Sequence, residues 1–297
     1  METVERTPSQ GQSGHWFVLA AAVLWGTTGT AQALAPATAE PVGVGAVRLA
    51  IGGVALLALA LTRGALPPGG RWPMLPTVFA AGSMAAYQLC FFAAVARTGV
   101  AAGTVVAIGS APIWAGLLGL LVRGERPSIR WLAATFLAIL GCALLVMAGR
   151  SITVDPGGIM LALGAGASYA VYTLSSKDLV DLHPPDAVTA VVFCLGALFL
   201  SPLLFTSDLS WLVQPRGLAV ALHLGLVATA ASYALFVRGL MRVPTATAVT
   251  LSLAEPLTAG ALGVLLLGEQ LTGAAVLGLG LLFSGLALLS SGRQLEV

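Results

Sequence analysis

Apolar residues in this chain do not alternate with polar ones. They run on for about twenty positions at a time, separated by short breaks rich in Pro, Gly and Arg. Ten such runs can be marked, at about 16–35, 42–62, 74–96, 102–122, 131–149, 157–176, 187–205, 217–237, 245–267 and 272–291. A hydrocarbon core about 30 Å thick needs roughly 20 residues of helix. Backbone groups in lipid must be satisfied within their own segment, and barrel strands would show a period of two. The pattern therefore predicts an all-α membrane protein with ten transmembrane helices, joined by connections too short to hold a soluble domain. The first run is longer than the apolar core of a signal peptide and follows Glu2, Glu5 and Arg6, so it reads as the first helix, with 1–15 as a cytoplasmic tail.

Composition removes whole classes of function. Hydrophobic residues make up 58% of the 297 and charged residues 9%, with a mean hydropathy of +0.95; soluble domains carry about 25% charge. A soluble enzyme, a nucleic-acid binder and a disordered chain are all excluded. Cys90, Cys142 and Cys194 lie inside apolar runs and form no disulfide framework. No spacing of His, Cys or acidic residues matches a metal site, so neither metal nor cofactor is expected.

Charge asymmetry sets the expected orientation. With the N-terminus in the cytoplasm, the inner breaks carry Arg6, Arg63, Arg71, Arg123, Arg126, Arg130, Lys177, Arg238, Arg242 and Arg293, and the outer ones only Arg97, Arg150 and Arg216. Ten against three places both termini inside. Trp16, Trp72, Trp131 and Trp211 fall at predicted membrane interfaces, where aromatic belts form, whereas Trp25 and Trp114 lie deeper. Basic residues are almost all Arg, among abundant Ala, Gly and Leu. That is the composition of a high-GC bacterial genome and points to a bacterial inner membrane.

The chain also repeats itself. Residues 112–125, PIWAGLLGLLVRGE, align without a gap on 256–269, PLTAGALGVLLLGE, at an offset of 144, with eight of fourteen positions identical. Gly141 and Gly285 keep the same register. The unit is five helices, an odd number, so the second copy enters the membrane from the other side. The expected domains are 16–149 and 157–291, related as inverted repeats, with a site near the midplane between them. A duplicated scaffold without transport is the plainer alternative.

These residues resemble the drug/metabolite transporter superfamily, and within it the ten-helix EamA-type exporters. The resemblance rests on the two P-x-x-A-G-x-L-G-x-L-x-x-G-E stretches, Trp25-Gly26, Arg48 and Glu255-Pro256, and it covers essentially the whole chain. Within the superfamily the chain is most similar to amino-acid exporters of the YddG type. The resemblance implies export of amino acids, aromatic or otherwise neutral, or of similar small metabolites, by a monomer in the lipid bilayer.

Polar residues at depth mark candidate walls of a cavity. They are Trp25, Thr28 and Gln32 on the first helix, Ser83, Tyr87 and Gln88 on the third, Ser168, Tyr169 and Tyr172 on the sixth, and Thr229, Ser232, Tyr233 and Phe236 on the eighth. Rings with a polar handle, converging from four helices, could hold a small organic substrate. Each ring taken singly suits helix packing as well as substrate contact, and Ser or Thr hydroxyls often bond only their own helix. Glu255, about ten residues or roughly 15 Å into the ninth helix, is the acidic residue nearest a midplane. Arg48, about six residues from the outer end of the second helix, is the basic one. Either the two pair to hold the halves together, or Glu255 carries a proton or binds a substrate ammonium. Pro112 and Pro256 each remove a helix hydrogen bond and are expected to break their helices.

Three other functions compete. A proton-coupled drug or metabolite pump would share the same architecture. An intramembrane hydrolase would need Ser168, in Gly166-Ala-Ser168, to meet His223, which lies near the far end of the eighth helix. A channel would need a ring of charges or carbonyls that no helix supplies.

Overall fold

A computed structural model describes residues 8–66, 72–147, 155–267 and 272–290. Those residues are helical almost throughout: α1 (Pro8–Ala33), α2 (Pro41–Thr62), α3 (Met74–Leu118), α4 (Ile129–Met147), α5 (Pro156–Val180), α6 (Pro185–Thr206), α7 (Pro215–Leu222), α8 (Ser232–Leu240), α9 (Thr245–Leu251), α10 (Glu255–Leu267) and α11 (Gly273–Ser290). A π-helical stretch, His223–Ala231, fuses α7 to α8, and a 3₁₀ turn, Ser252–Ala254, joins α9 to α10.

Although helical over 45 residues, α3 is not one straight rod. A Cβ on Gly164 of α5 would touch Cys90, and one on Gly166 would touch Ala107, Ser110 and Ala111. Straight geometry would hold Cys90 and Ser110 about 30 Å apart. The path therefore turns back near residues 95–102 into two arms, Met74–Ala94 and Gly103–Arg123, with α5 against both. Among the described residues, seven segments are long and apolar enough to cross a bilayer, and Ile129–Leu144 is a shorter apolar one. With α1 and the α9–α10 segment, the chain traces ten crossings, as the apolar runs predict.

Polar contacts cluster at the face where α1 begins, called here the N-terminal face. Asp186, at the start of α6, accepts from Arg63 after α2 (3.0 Å) and from Arg238 near the end of α8. Arg123 contacts Glu125 (3.3 Å), Asp178 and Asp181 (3.0 Å). Lys177 donates to the carbonyls of Leu240 and Val243, Arg130 to that of Leu288, and Trp72 stacks on His183. These contacts fix every second helix end on one face, as an up-and-down bundle requires.

The offset of 144 is also a spatial symmetry. Gly141 on α4 abuts Gly278 and Leu282 on α11, while Gly285 on α11 abuts Ala134 and Ala138 on α4. Adding 144 to one set of partners gives the other. In the same way, Gly52 meets the Gly225 carbonyl and Gly196 meets that of Ala81. A pseudo-two-fold axis thus passes between α4 and α11 and between α2 and α6. Its contacts cross over: α5 packs on the two arms of α3, and α1 packs on α8 and α10. The fold is two inverted five-helix repeats.

Three expectations are corrected. Helix α1 starts at Pro8 rather than residue 16, because Gly14 lets it pack on Gly239, Arg242 and Val243, and Arg242 bonds Ser13 (3.2 Å). Pro112 does not break its helix; close packing of Ala107 and Ala111 on Gly166 holds the backbone helical past it. Pro256 does follow a break, the 3₁₀ turn at Ser252–Ala254. Of the four interfacial tryptophans only Trp16 is exposed; Trp131 fills the space over Gly116, and Trp211 is sealed against Gly217. The Gly-Glu end of the repeated motif is structural, since Gly124 takes a left-handed φ of 69° to close the helix and Glu125 turns back to contact Arg123. Its counterpart, Gly268-Glu269, lies outside the described residues.

Candidate functional site

The rings singled out in the sequence do come together. Trp25 contacts Tyr233 (centroids 4.8 Å), Phe236 (5.3 Å) and Tyr169 (6.3 Å). Tyr172 meets Tyr169, Tyr233 and Phe236, and Tyr87 reaches Tyr169 (5.9 Å) while stacking on Phe91. Phe193 of α6, absent from the sequence-based set, lies 4.5 Å from Tyr233. Nothing in the sequence flagged it, because a lone Phe in an apolar run carries no polar handle.

Exposure divides this cluster by depth. Toward the N-terminal face, Tyr172, Phe193 and Phe236 are fully buried and Trp25, Tyr169 and Tyr233 nearly so. Together with the Asp186 and Lys177 contacts below them, they form a closed plug. From mid-depth toward the opposite face, Thr28, Gln32, Arg48, Tyr87, Ser168, His223 and Glu255 are only half-buried. Half-exposed polar groups thus lie on facing helices above a sealed ring of aromatics, on the side away from the N-terminal face.

Local structure positions the polar groups. Gly26 allows α1 to approach the start of α10, where a Cβ would stand 2.7 Å from the Glu255 carbonyl and against Thr258. The wider turn around His223–Ala231 lets the Thr229 hydroxyl donate to the Leu224 carbonyl five residues back (2.8 Å) and accept from Arg48 Nε (3.2 Å). Arg48 also donates to the Ala228 carbonyl (3.4 Å). Thr27 bonds His223 Nε2 (2.8 Å), so His223 is engaged away from Ser168. Ser232 spends its hydroxyl on Ala228 and Thr229 of its own helix, and Gln88 is buried.

Arg48 and Glu255 do not form the ion pair considered from sequence. No Arg48 nitrogen stands within 4.0 Å of a Glu255 oxygen, although the two lie in electrostatic reach of each other. Glu255 also lies in electrostatic reach of Tyr87 and Tyr233. Among the described residues no group of three His, Cys, Asp or Glu side chains converges as a metal site would.

The sequence pattern of the EamA-like transporter family matches this chain twice, over residues 12–147 and 156–291. The chain belongs to that family. Both matched segments are five-helix repeats of the pseudo-symmetric bundle. Among curated relatives, this EamA-like transporter is 51% identical over 276 residues to the uncharacterized transporter YwfM of Bacillus subtilis strain 168, with 93% of each chain covered. It is 32% identical over 272 residues to the threonine/homoserine exporter RhtA of Escherichia coli K12, covering 89% of this chain and 86% of RhtA. A solved crystal structure, 24% identical, superposes with a TM-score of 0.80 over 93% of this chain and 96% of its own, which shows a shared fold. The protein is a multi-pass membrane transporter of this family.

The geometry separates two site residues that look alike in sequence. Trp25 is held by three rings and is 5% exposed. Trp25→Ala should therefore lower the melting temperature sharply, the cost of a large void being about 3 kcal/mol or more. Tyr87, half-buried and a candidate wall residue, should tolerate Tyr87→Ala with little change in melting temperature while substrate affinity falls about tenfold. Melting curves and binding isotherms on the two purified variants check this. Equal destabilisation of both would remove Tyr87 from the wall.

Proposed function

We propose that the protein exports small neutral amino acids from the cytoplasm of a bacterial cell by alternating access. The observation that carries the proposal is the set of half-buried polar groups, Arg48, Tyr87 and Glu255 among them, on facing helices of both repeats above the buried rings, which we read as the wall of a substrate cavity. The activity of RhtA, threonine and homoserine export, supports the same class. Aromatic amino acids are a weaker fit than small ones, because the rings that would stack on them already stack on one another. The charge bias supports an inner membrane with both termini, and the N-terminal face, in the cytoplasm. The cavity then opens outward in this conformation. A monomer suffices, since both repeats lie in one chain.

One observation favours a second reading, proton-coupled efflux: Glu255 sits at mid-depth without an ion-pair partner. Bacteria stripped of threonine exporters and loaded with a threonine dipeptide test the main reading. Expression of this protein should speed release of free threonine into the medium. Unchanged release of threonine and of every other neutral amino acid would overturn it.

A further inference from the structure

Charge inside a bilayer is expensive, and proteins ordinarily meet the expense by pairing it. Here a guanidinium and a carboxylate lie in electrostatic reach of each other, half-buried at neighbouring depths, without joining. The Arg48 side chain is held in place by two neutral acceptors, the Thr229 hydroxyl on Nε and the Ala228 carbonyl on one terminal nitrogen. Its second terminal nitrogen bonds no described residue. The Glu255 carboxylate makes no hydrogen bond or ion pair with any described residue, and its backbone is pinned against Gly26 at the start of α10. Two opposite charges are thus fixed apart, with donors and acceptors to spare.

The pseudo-two-fold axis shows that the scaffold does not need them. At the offset of 144, Arg48 corresponds to Val192 and Glu255 to Ala111, both buried and apolar, and the Ala-Pro of residues 111–112 takes the place of Glu-Pro. Equivalent helices pack through equivalent glycines without either charge. Two groups that a duplicated fold omits in one copy of each are there for something other than packing.

We infer that Arg48 and Glu255 are the two poles of a zwitterion site, the guanidinium taking the substrate's α-carboxylate and Glu255 its α-ammonium. Arginine suits the first task because its planar fork matches a carboxylate, and a fork already anchored on one edge loses little freedom on binding. Each substrate charge supplies what the opposing protein charge lacks, so the loaded site is neutral. Tyr87, half-buried on the third crossing, is in electrostatic reach of both. This inference rests on the reading of the cavity as an amino-acid site, and it adds the requirement that both ends of the molecule be charged.

Binding of three probes to the purified protein tests it: L-threonine, threoninol, which lacks the carboxylate, and N-acetyl-L-threonine, which lacks the ammonium. The wild type should bind threonine about tenfold to a hundredfold more tightly than either analogue, the worth of one charged hydrogen-bonding pole. In Arg48→Gln the preference over threoninol should collapse while that over N-acetylthreonine persists; in Glu255→Gln the reverse should hold. If the Gln variants do not fold, Arg48→Lys and Glu255→Asp should narrow the same two ratios selectively. A wild type that accepts either analogue as well as threonine overturns the inference and leaves amino-acid export standing. So do folded variants that keep both preferences, a result that would instead suit Glu255 as a proton carrier. If no amino acid binds at all, the export reading itself falls and this inference falls with it.

Discussion

Gly285→Ala and Gly141→Ala should each destabilise the protein, whereas Gly280→Ala, on the same helix as Gly285, should not. A methyl group at 285 would stand 2.7 Å from the Ala134 carbonyl and 2.9 Å from the Ala138 nitrogen; at 141 it would stand 2.6 Å from the Gly278 carbonyl. All of these are backbone atoms, which cannot swing aside as a side chain can. Small residues let membrane helices touch along their backbones, and overpacking such a seam costs about 1–3 kcal/mol or more. That outweighs the gain of roughly 1 kcal/mol from replacing a helical glycine by alanine. At Gly280 a Cβ meets nothing within 4 Å, so only the gain remains. Because both clashes open one seam, the double variant should lose less than the sum of the singles. Melting temperatures of the four proteins in detergent give the result. Equal effects at 280 and 285 would deny that α4 and α11 meet at the pseudo-symmetry axis.

The second large effect is expected at the N-terminal face. Asp186 is 7% exposed and accepts from Arg63 of the first repeat and Arg238 of the second, so it ties the two repeats together at this face, beneath the buried rings. Asp186→Asn removes the negative charge and leaves two guanidinium groups facing each other. The end that they seal should open more often. A bias of about 1.4 kcal/mol would change the population of the open form tenfold. Ser176, 1% exposed on α5 near the plug, reports on it. With the native cysteines replaced, Ser176→Cys should react with an impermeant thiol reagent about tenfold faster in the Asp186→Asn background. An unchanged rate, with the protein folded, would mean that the plug of Tyr172, Phe193 and Phe236 closes this end alone.

The sequence shows most of the frame and only part of the site, and the reason is physical. Lipid thickness forces runs of about twenty apolar residues, so ten crossings can be counted directly. The repeat is legible because Pro, Gly and Glu stand out in an apolar background; the offset of 144 found in one helix pair recurs in the contacts of Gly52, Gly141, Gly196 and Gly285. The ends of α1 and the course past Pro112 were not legible, since both depend on packing partners far along the chain. Within the site, hydroxyl-bearing rings announce themselves by being polar at depth, and Trp25, Tyr87, Tyr169, Tyr172 and Tyr233 do converge. Which of them face open space depends on a neighbour such as Phe193, which looks like any other apolar residue. Arg48 and Glu255 are conspicuous as charges, but their standing apart depends on Thr229, whose position follows from the π-helical turn.

Counterflow in liposomes tests most directly the claim of one central site presented alternately to each side. Purified protein is reconstituted with a high concentration of unlabelled L-threonine inside and a trace of labelled threonine outside. A carrier of this design should accumulate label transiently above its outside concentration, saturably, and Tyr87→Ala should depress the peak. Label that merely equilibrates without an overshoot, for threonine and for every other neutral amino acid that crosses, would contradict the account and mark the cavity as a pore.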